Sequence, residues 1–164
     1  MKIKNKLHVL IFLFLSASLC AQENEIISEE YNLKNDSIQL PGTLSFKKME
    51  GSQPLVIFIQ GSGNPDRNGN QSGLGVNANY IKTLRDSLNL KGIAFYSYDK
   101  RNVTPSNMPF IMKKFEFTDL AEDAEVAISE FANDERFSSI TVIGHSQGSL
   151  VGMLATNNEV DKFI

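Results

Sequence analysis

Histidine occurs twice in the 164 residues and cysteine once. The lone cysteine, Cys20, excludes an internal disulfide. No spacing of His, Cys, Asp and Glu reads as a metal cluster, no P-loop is present, and Gly73-Leu74-Gly75 is too short for a dinucleotide fingerprint, so neither metal nor cofactor is expected. Positive charge is also scarce. Lys and Arg number 16 against 19 acids, and no basic run is longer than Lys47-Lys48, Lys100-Arg101 or Lys113-Lys114. Nucleic-acid binding needs clustered cations, so that class of partner is not expected. A long apolar run is lacking as well: the stretch from Leu7 to Leu15 carries His8 and falls short of the roughly 20 residues a membrane span requires. Internal repeats and low-complexity tracts are absent.

The N-terminus has the layout of a secretory signal peptide over residues 1–21. Lys2, Lys4 and Lys6 precede an apolar core from Val9 to Leu15, and Ser16, Ala17 and Ser18 lead to Cys20-Ala21. Export is therefore expected, to the periplasm or the medium. Cleavage after Ala21 removes three lysines and no acids, taking the formal charge from −3 to −6. The alternative is a lipid anchor at Cys20, against which stands the bulky Leu19 just before it.

In the remaining single domain, 22–164, Ile27, Tyr31 and Leu33 read as one strand. Asn35-Asp36 supply a turn, and Ile38 to Phe46 form a second strand broken at Pro41-Gly42. Pro54 to Ile59 and Ile93 to Tyr98 are apolar on both faces, as in parallel strands covered by helices on both sides. A helix is expected from about Ala78 to Leu90, with Tyr80, Ile81, Leu84, Leu88 and Leu90 inward. Another starts at Thr118, a candidate cap, with Leu120, Ala124, Ala127, Ile128 and Phe131 on one face and Asp119, Glu122 and Asp123 complementing its positive end. The rhythm of strand and helix predicts an α/β fold with a mostly parallel sheet and an N-terminal antiparallel hairpin. In such folds ligands gather beyond the carboxyl ends of the strands. Three segments end there: Gln60 to Gly63, Asp99 to Arg101, and Gly144 to Gly148.

The last of these is the most specific motif. Gly144-His145-Ser146-Gln147-Gly148 follows the strand-like Ile140-Thr141-Val142-Ile143 and precedes the helix-like Leu150 to Ala155. That is the context of a nucleophile elbow, a tight strand-to-helix turn that exposes the serine at its apex. A serine hydroxyl needs a base, a group that orients the base, and donors for the oxyanion. Two backbone donors are candidates: Gln147 N–H, at the helix start, and the N–H groups at Gly61-Ser62, after the first buried strand. The glycine-rich segment from Gly61 to Gly75 is longer than most loops, and its outer part, 68–75, is either part of a binding site or a solvated surface loop.

With the elbow, the run Gln60-Gly61-Ser62-Gly63-Asn64-Pro65-Asp66-Arg67 resembles the His-Gly-Ser-Gly…Asp-Arg stretch of secreted bacterial esterases in the α/β-hydrolase superfamily, related to the serine aminopeptidase and dienelactone hydrolase groups. Leu40 to Leu44 and Tyr98-Asp99-Lys100-Arg101 are similar to other parts of that pattern. The resemblance implies an α/β-hydrolase fold, Ser146 as nucleophile, an oxyanion hole from the Ser62 and Gln147 amides, and a small-molecule carboxylic ester as substrate. Gln60 departs from the histidine of many relatives, with little expected consequence because the donor is a backbone amide two residues on. Asp66 and Arg67 either pin the loop or are solvated, and Asp99 is expected to cap its own turn. The family's triad acid and histidine follow the elbow in the chain order Ser, Asp, His. After the leader only His145 remains, next to Ser146 and directed away from it. The chain is thus expected to be the N-terminal part of such a domain, ending at the start of the strand after the nucleophile helix and inactive by itself. A peptidase or acyltransferase on the same scaffold, or a binding protein retaining the fold, are the alternatives.

Overall fold

A computed structural model describes residues 25–164. The expected leader, with Cys20, lies outside them. Among the described residues eight strands are formed: β1 (Ile26–Glu30), β2 (Leu33–Asn35), β3 (Ile38–Leu40), β4 (Gly42–Lys47), β5 (Gln53–Ile59), β6 (Ala94–Tyr98), β7 (Phe137–Gly144) and β8 (Lys162–Phe163). The α-helices are α1 (Tyr80–Asn89), the single turn α2 (Met108–Ile111), α3 (Thr118–Ala132) and α4 (Gln147–Ala155). Six strands make one sheet in the order β1-β4-β6-β5-β7-β8, and β2 and β3 pair separately. The pairings β6-β5, β5-β7 and β7-β8 are parallel, whereas β1-β4 and β4-β6 are antiparallel.

The apolar strands sort by alternation. Leu55, Ile57 and Ile59 point to a face covered by α3 and α4, with Leu120, Ile128, Phe131 and Val151. Val56 and Phe58 point to the other face, where Phe95 and Ile81 of α1 meet them. Leu55, Ile57, Phe95 and Ile81 have no exposed surface, and each such side chain contributes roughly 1.5–3 kcal/mol of transfer free energy. Both faces of β5 are therefore buried, as its unbroken apolar run predicts. Among the described residues no helix is long and apolar enough to cross a membrane.

The local expectations differ from the structure in instructive places. The predicted N-terminal hairpin is two nested pairings: β1 joins β4 in the main sheet, while its tip, β2-β3, turns at Asp36 with φ 51 and leaves the sheet. Leu90 is 73% exposed, because the inward positions at that end of α1 are Arg85 and Asn89. Asn89 exchanges hydrogen bonds with Ser45 and donates to Ile93 O at 2.9 Å, so an amide closes the end of the helix where the sequence suggests a leucine. Thr118 does not cap α3; it is the first helical residue, and the Asp119 carboxylate accepts from Glu116 N at 3.0 Å instead. Asp123 is not a surface complement to the helix dipole. It is 1% exposed and takes two 2.7 Å hydrogen bonds from Arg101 and one of 3.0 Å from Asn35.

Candidate active site

The parallel register places three strand ends side by side. Ile59 of β5 stands opposite Gly144 of β7, and Phe58 opposite Ser97 of β6, so the chain leaves the sheet there at Gln60, His145 and Asp99. All three sequence-predicted segments thus meet at one edge.

At the elbow, β7 ends at Gly144 and α4 begins at Gln147. Two residues make the reversal. His145 N donates to Ile59 O at 3.0 Å, and Ser146 takes φ 54 and ψ −120, a conformation that carries roughly 1–3 kcal/mol of strain in a residue with a side chain. Its hydroxyl is exposed and caps no helix N–H. The flanking glycines follow from the geometry. A Cβ at Gly144 would lie 2.5 Å from Gly148 O and from Ser149 Cα, and one at Gly148 would run into the carbonyl of Ile59.

The loop after β5 packs against the elbow through Gly61, where an added Cβ would stand 3.2 Å from Ser146 Cβ. Ser62, one residue on, is exposed. No backbone carbonyl among the described residues accepts from the Ser62 or Gln147 N–H. For Gln147 this is the ordinary state of a first helical residue, whose amide has no partner within its own helix. Two unengaged donors and the positive end of α4 therefore lie around an exposed, strained serine. That combination suits an anion or a developing oxyanion.

The rest of the loop is held from below. Asp66 accepts from Asn68 N and Asn70 N, and Arg67 donates to Gly42 O at 2.6 Å and to Glu30 at 2.7 Å. Asp99 does not cap its own turn: its carboxylate accepts from Arg67 N at 2.8 Å, across the loop. Burial raises the Asp99 carboxyl above the ordinary carboxylate range, and the Arg67 contacts act against that. The outer part is also ordered, by a bridge between Gln71 and Val76 and by Gly69 packed on the Tyr80 ring. Pinning, rather than solvation, is what Asp66 and Arg67 do. Gln60 is wholly buried and donates to Tyr98 O, so this side chain shapes the loop from inside the protein.

His145 gives Ser146 no help. Its ring packs on Tyr80, with centroids 5.6 Å apart and planes at 58°. One residue that sequence reasoning passed over does reach the site. Lys100, only 5% exposed, donates to Gly61 O, and its Nζ lies 3.2 Å from Gln147 Oε1. Burial lowers its ammonium from the usual 10.5 to about 8. A charged residue among apolar strand ends was the available signal.

No family model matches the chain, and no curated protein sequence matches it. Solved structures do. A cold-adapted esterase from an Arctic intertidal metagenomic library superposes with a TM-score of 0.59 at 15% identity, covering 84% of this chain and 59% of its own. For a dienelactone hydrolase from Anabaena variabilis the values are 0.58 and 18%, with 79% and 56% covered. Est1E from Butyrivibrio proteoclasticus gives 0.56 and 21%, with 77% and 44% covered. The chain has the α/β-hydrolase fold. At these identities the likeness is one of fold, and the chain spans between 44% and 59% of the length of these three structures.

Proposed function

We propose that the complete protein is a serine hydrolase of carboxylic esters, working through an acyl-enzyme on Ser146. Ser146 Oγ attacks the ester carbonyl and loses its proton to a base, and the carbonyl oxygen becomes an oxyanion between the Ser62 and Gln147 N–H groups. Collapse expels the alcohol, which takes up that proton, and water then releases the acid. The observation that carries this reading is the backbone of Ser146, φ 54 at a strand-to-helix junction with Gly61 packed against it. Strain of that kind persists where it serves a site. Structural neighbours named as an esterase and a dienelactone hydrolase support an ester over an amide. Substrate choice itself rests on residues around the scissile bond rather than on the fold.

By the same reading the base and its acid come from residues following the elbow in the complete protein. Within 25–164 the one histidine is engaged with Tyr80. Loss of the base in a serine hydrolase lowers turnover on the order of 10⁶-fold. Residues 22–164 are therefore expected to capture a phenylboronic acid at Ser146, as a tetrahedral adduct, without turning over p-nitrophenyl acetate. Capture that survives Ser146→Ala would refute the nucleophile assignment. Ser146-dependent turnover would refute the missing base.

A further inference from the structure

Lys100 stands out as a buried cation whose hydrogen bonds all lead to the two segments that carry the candidate oxyanion donors. Its Nζ donates to Gly61 O, lies 3.2 Å from Gln147 Oε1, and has Gly63 O at 3.4 Å. Gly61 C=O and Ser62 N–H belong to one planar, trans peptide unit and point in opposite directions. Holding Gly61 O toward Lys100 therefore aims the Ser62 N–H away from it. The carbonyl of Gly63 brackets Ser62 from the other side, and the Gln147 contact ties the same ammonium to the start of α4.

We propose that Lys100 is the positioning residue of the oxyanion hole, one buried ammonium that sets the Ser62 peptide plane and fixes it in register with Gln147. This rests on the hydrolase reading for its purpose, though not for its geometry. Lys100 is not assigned as the base for Ser146, because its three N–H bonds face three oxygen acceptors and an ammonium has no lone pair with which to accept a proton. It acts through its charge and direction, on the Gly61 and Gly63 carbonyls and on the side-chain amide of Gln147.

Proton loss from Lys100 should slacken this arrangement. The titratable groups facing the same corner are Tyr98 of β6 and Asp123 of α3, which share a small cavity with Lys100, and His145, beside Gly61. Asp123 is occupied by Arg101, and burial raises Tyr98 well above the usual tyrosine range. Tyr98 therefore keeps its proton near pH 8, where burial places the Lys100 ammonium. A Lys100→Met control separates a response of Lys100 from one of the other groups at this corner.

The test uses residues 22–164 and two readouts. Carbon-detected NMR should show the Gly61 carbonyl carbon and the Ser62 and Gln147 nitrogens titrating together with a midpoint near pH 8. Lys100→Met should abolish that shared titration, and Lys100→Arg should move it beyond the accessible range. Phenylboronic acid should bind Lys100→Met about tenfold more weakly at pH 7, with partial recovery in Lys100→Arg, the loss expected when hydrogen bonds to a charged group are removed. A titration that persists in Lys100→Met, or none in the parent chain, overturns the proposal whether or not the boronic acid binds. Failure of the parent chain to bind the boronic acid while the shared titration is present counts against the hydrolase reading alone. If Lys100→Met does not fold, the parent titration and Lys100→Arg decide.

Discussion

Replacing Ser146 by glycine should make the chain more stable than replacing it by alanine. The serine sits at φ 54 and ψ −120, where a Cβ is strained and glycine is not. Such a residue stores roughly 1–3 kcal/mol. Glycine gives part of this back, because its unfolded chain has about 0.4–1 kcal/mol more freedom to lose. The glycine variant is thus expected to exceed the alanine variant by about 1 kcal/mol. Alanine keeps the Cβ and therefore the strain. It removes a hydroxyl that is exposed and caps nothing, so it should stay within about 0.5 kcal/mol of the parent. Urea denaturation followed by circular dichroism measures both differences, provided that the slopes agree between variants. A glycine variant no more stable than the alanine one refutes the reasoning. The elbow would then hold no strain, and the observation on which the functional proposal rests would lose its force.

Asp123→Ala should cost about 3–4 kcal/mol in the same urea experiment, because it strips two 2.7 Å bonds from a guanidinium that is itself buried; a loss below 1 kcal/mol would contradict this. Gly148→Ala drives a methyl into the Ile59 and Gln60 carbonyls and should leave little folded protein by size-exclusion, whereas Gly73→Ala, which meets nothing, should behave as the parent. Stability should also depend on pH in two opposite ways. The folded Lys100 ammonium titrates near 8 and the unfolded one near 10.5, so between these values the unfolded chain binds more protons and stability rises with pH, by up to about 3 kcal/mol. Tyr31, pushed up to about 12 chiefly by its hydrogen bond to Glu130, and the buried Tyr96 and Tyr98 keep their protons when the unfolded chain loses them near 10. Stability should therefore fall again above pH 10, and a urea-midpoint profile without a rise from pH 8 in the parent, or with the same rise in Lys100→Met, would count against the buried ammonium.

The parts of this molecule that could be read from sequence are those fixed by short-range chemistry. Val56 to Ile59 is apolar at every position because both faces of β5 are covered, and the motif Gly144 to Gly148 is spaced by the clash of any Cβ with neighbouring backbone. The misread residues are polar ones whose partners are distant in sequence. Asn89 and Ser45 are 44 positions apart, Arg67 and Asp99 are 32, Lys100 and Gln147 are 47, and Arg101 and Asp123 are 22. A charge looks like surface until its partner is known, so Asp123 passed as a dipole complement, and Lys100 was placed at the strand ends without a role of its own. Thr118 was misread because a threonine at a helix start resembles a cap, whereas the helix begins at Thr118 itself and Asp119 reaches back to Glu116 N while also facing Arg101.

Those long-range polar contacts bear on how the site is built. Ser62 and Ser146 are both exposed, yet the loop that carries Ser62 is fixed from beneath by Gln60 on Tyr98 O, Lys100 on Gly61 O, and the half-buried Arg67 between Asp99 and Gly42 O, and the elbow by His145 N on Ile59 O. Every one of these supports lies within 42–147. On the proposed hydrolase reading, the oxyanion half of the site has its geometry set by these supports alone, and electrostatic preorganisation of this kind is usually the largest single contribution to acyl transfer. Capture of a tetrahedral boronic acid depends on that half, while turnover also needs the base. The two activities should separate in this chain, and the Lys100 variants should affect the first of them directly.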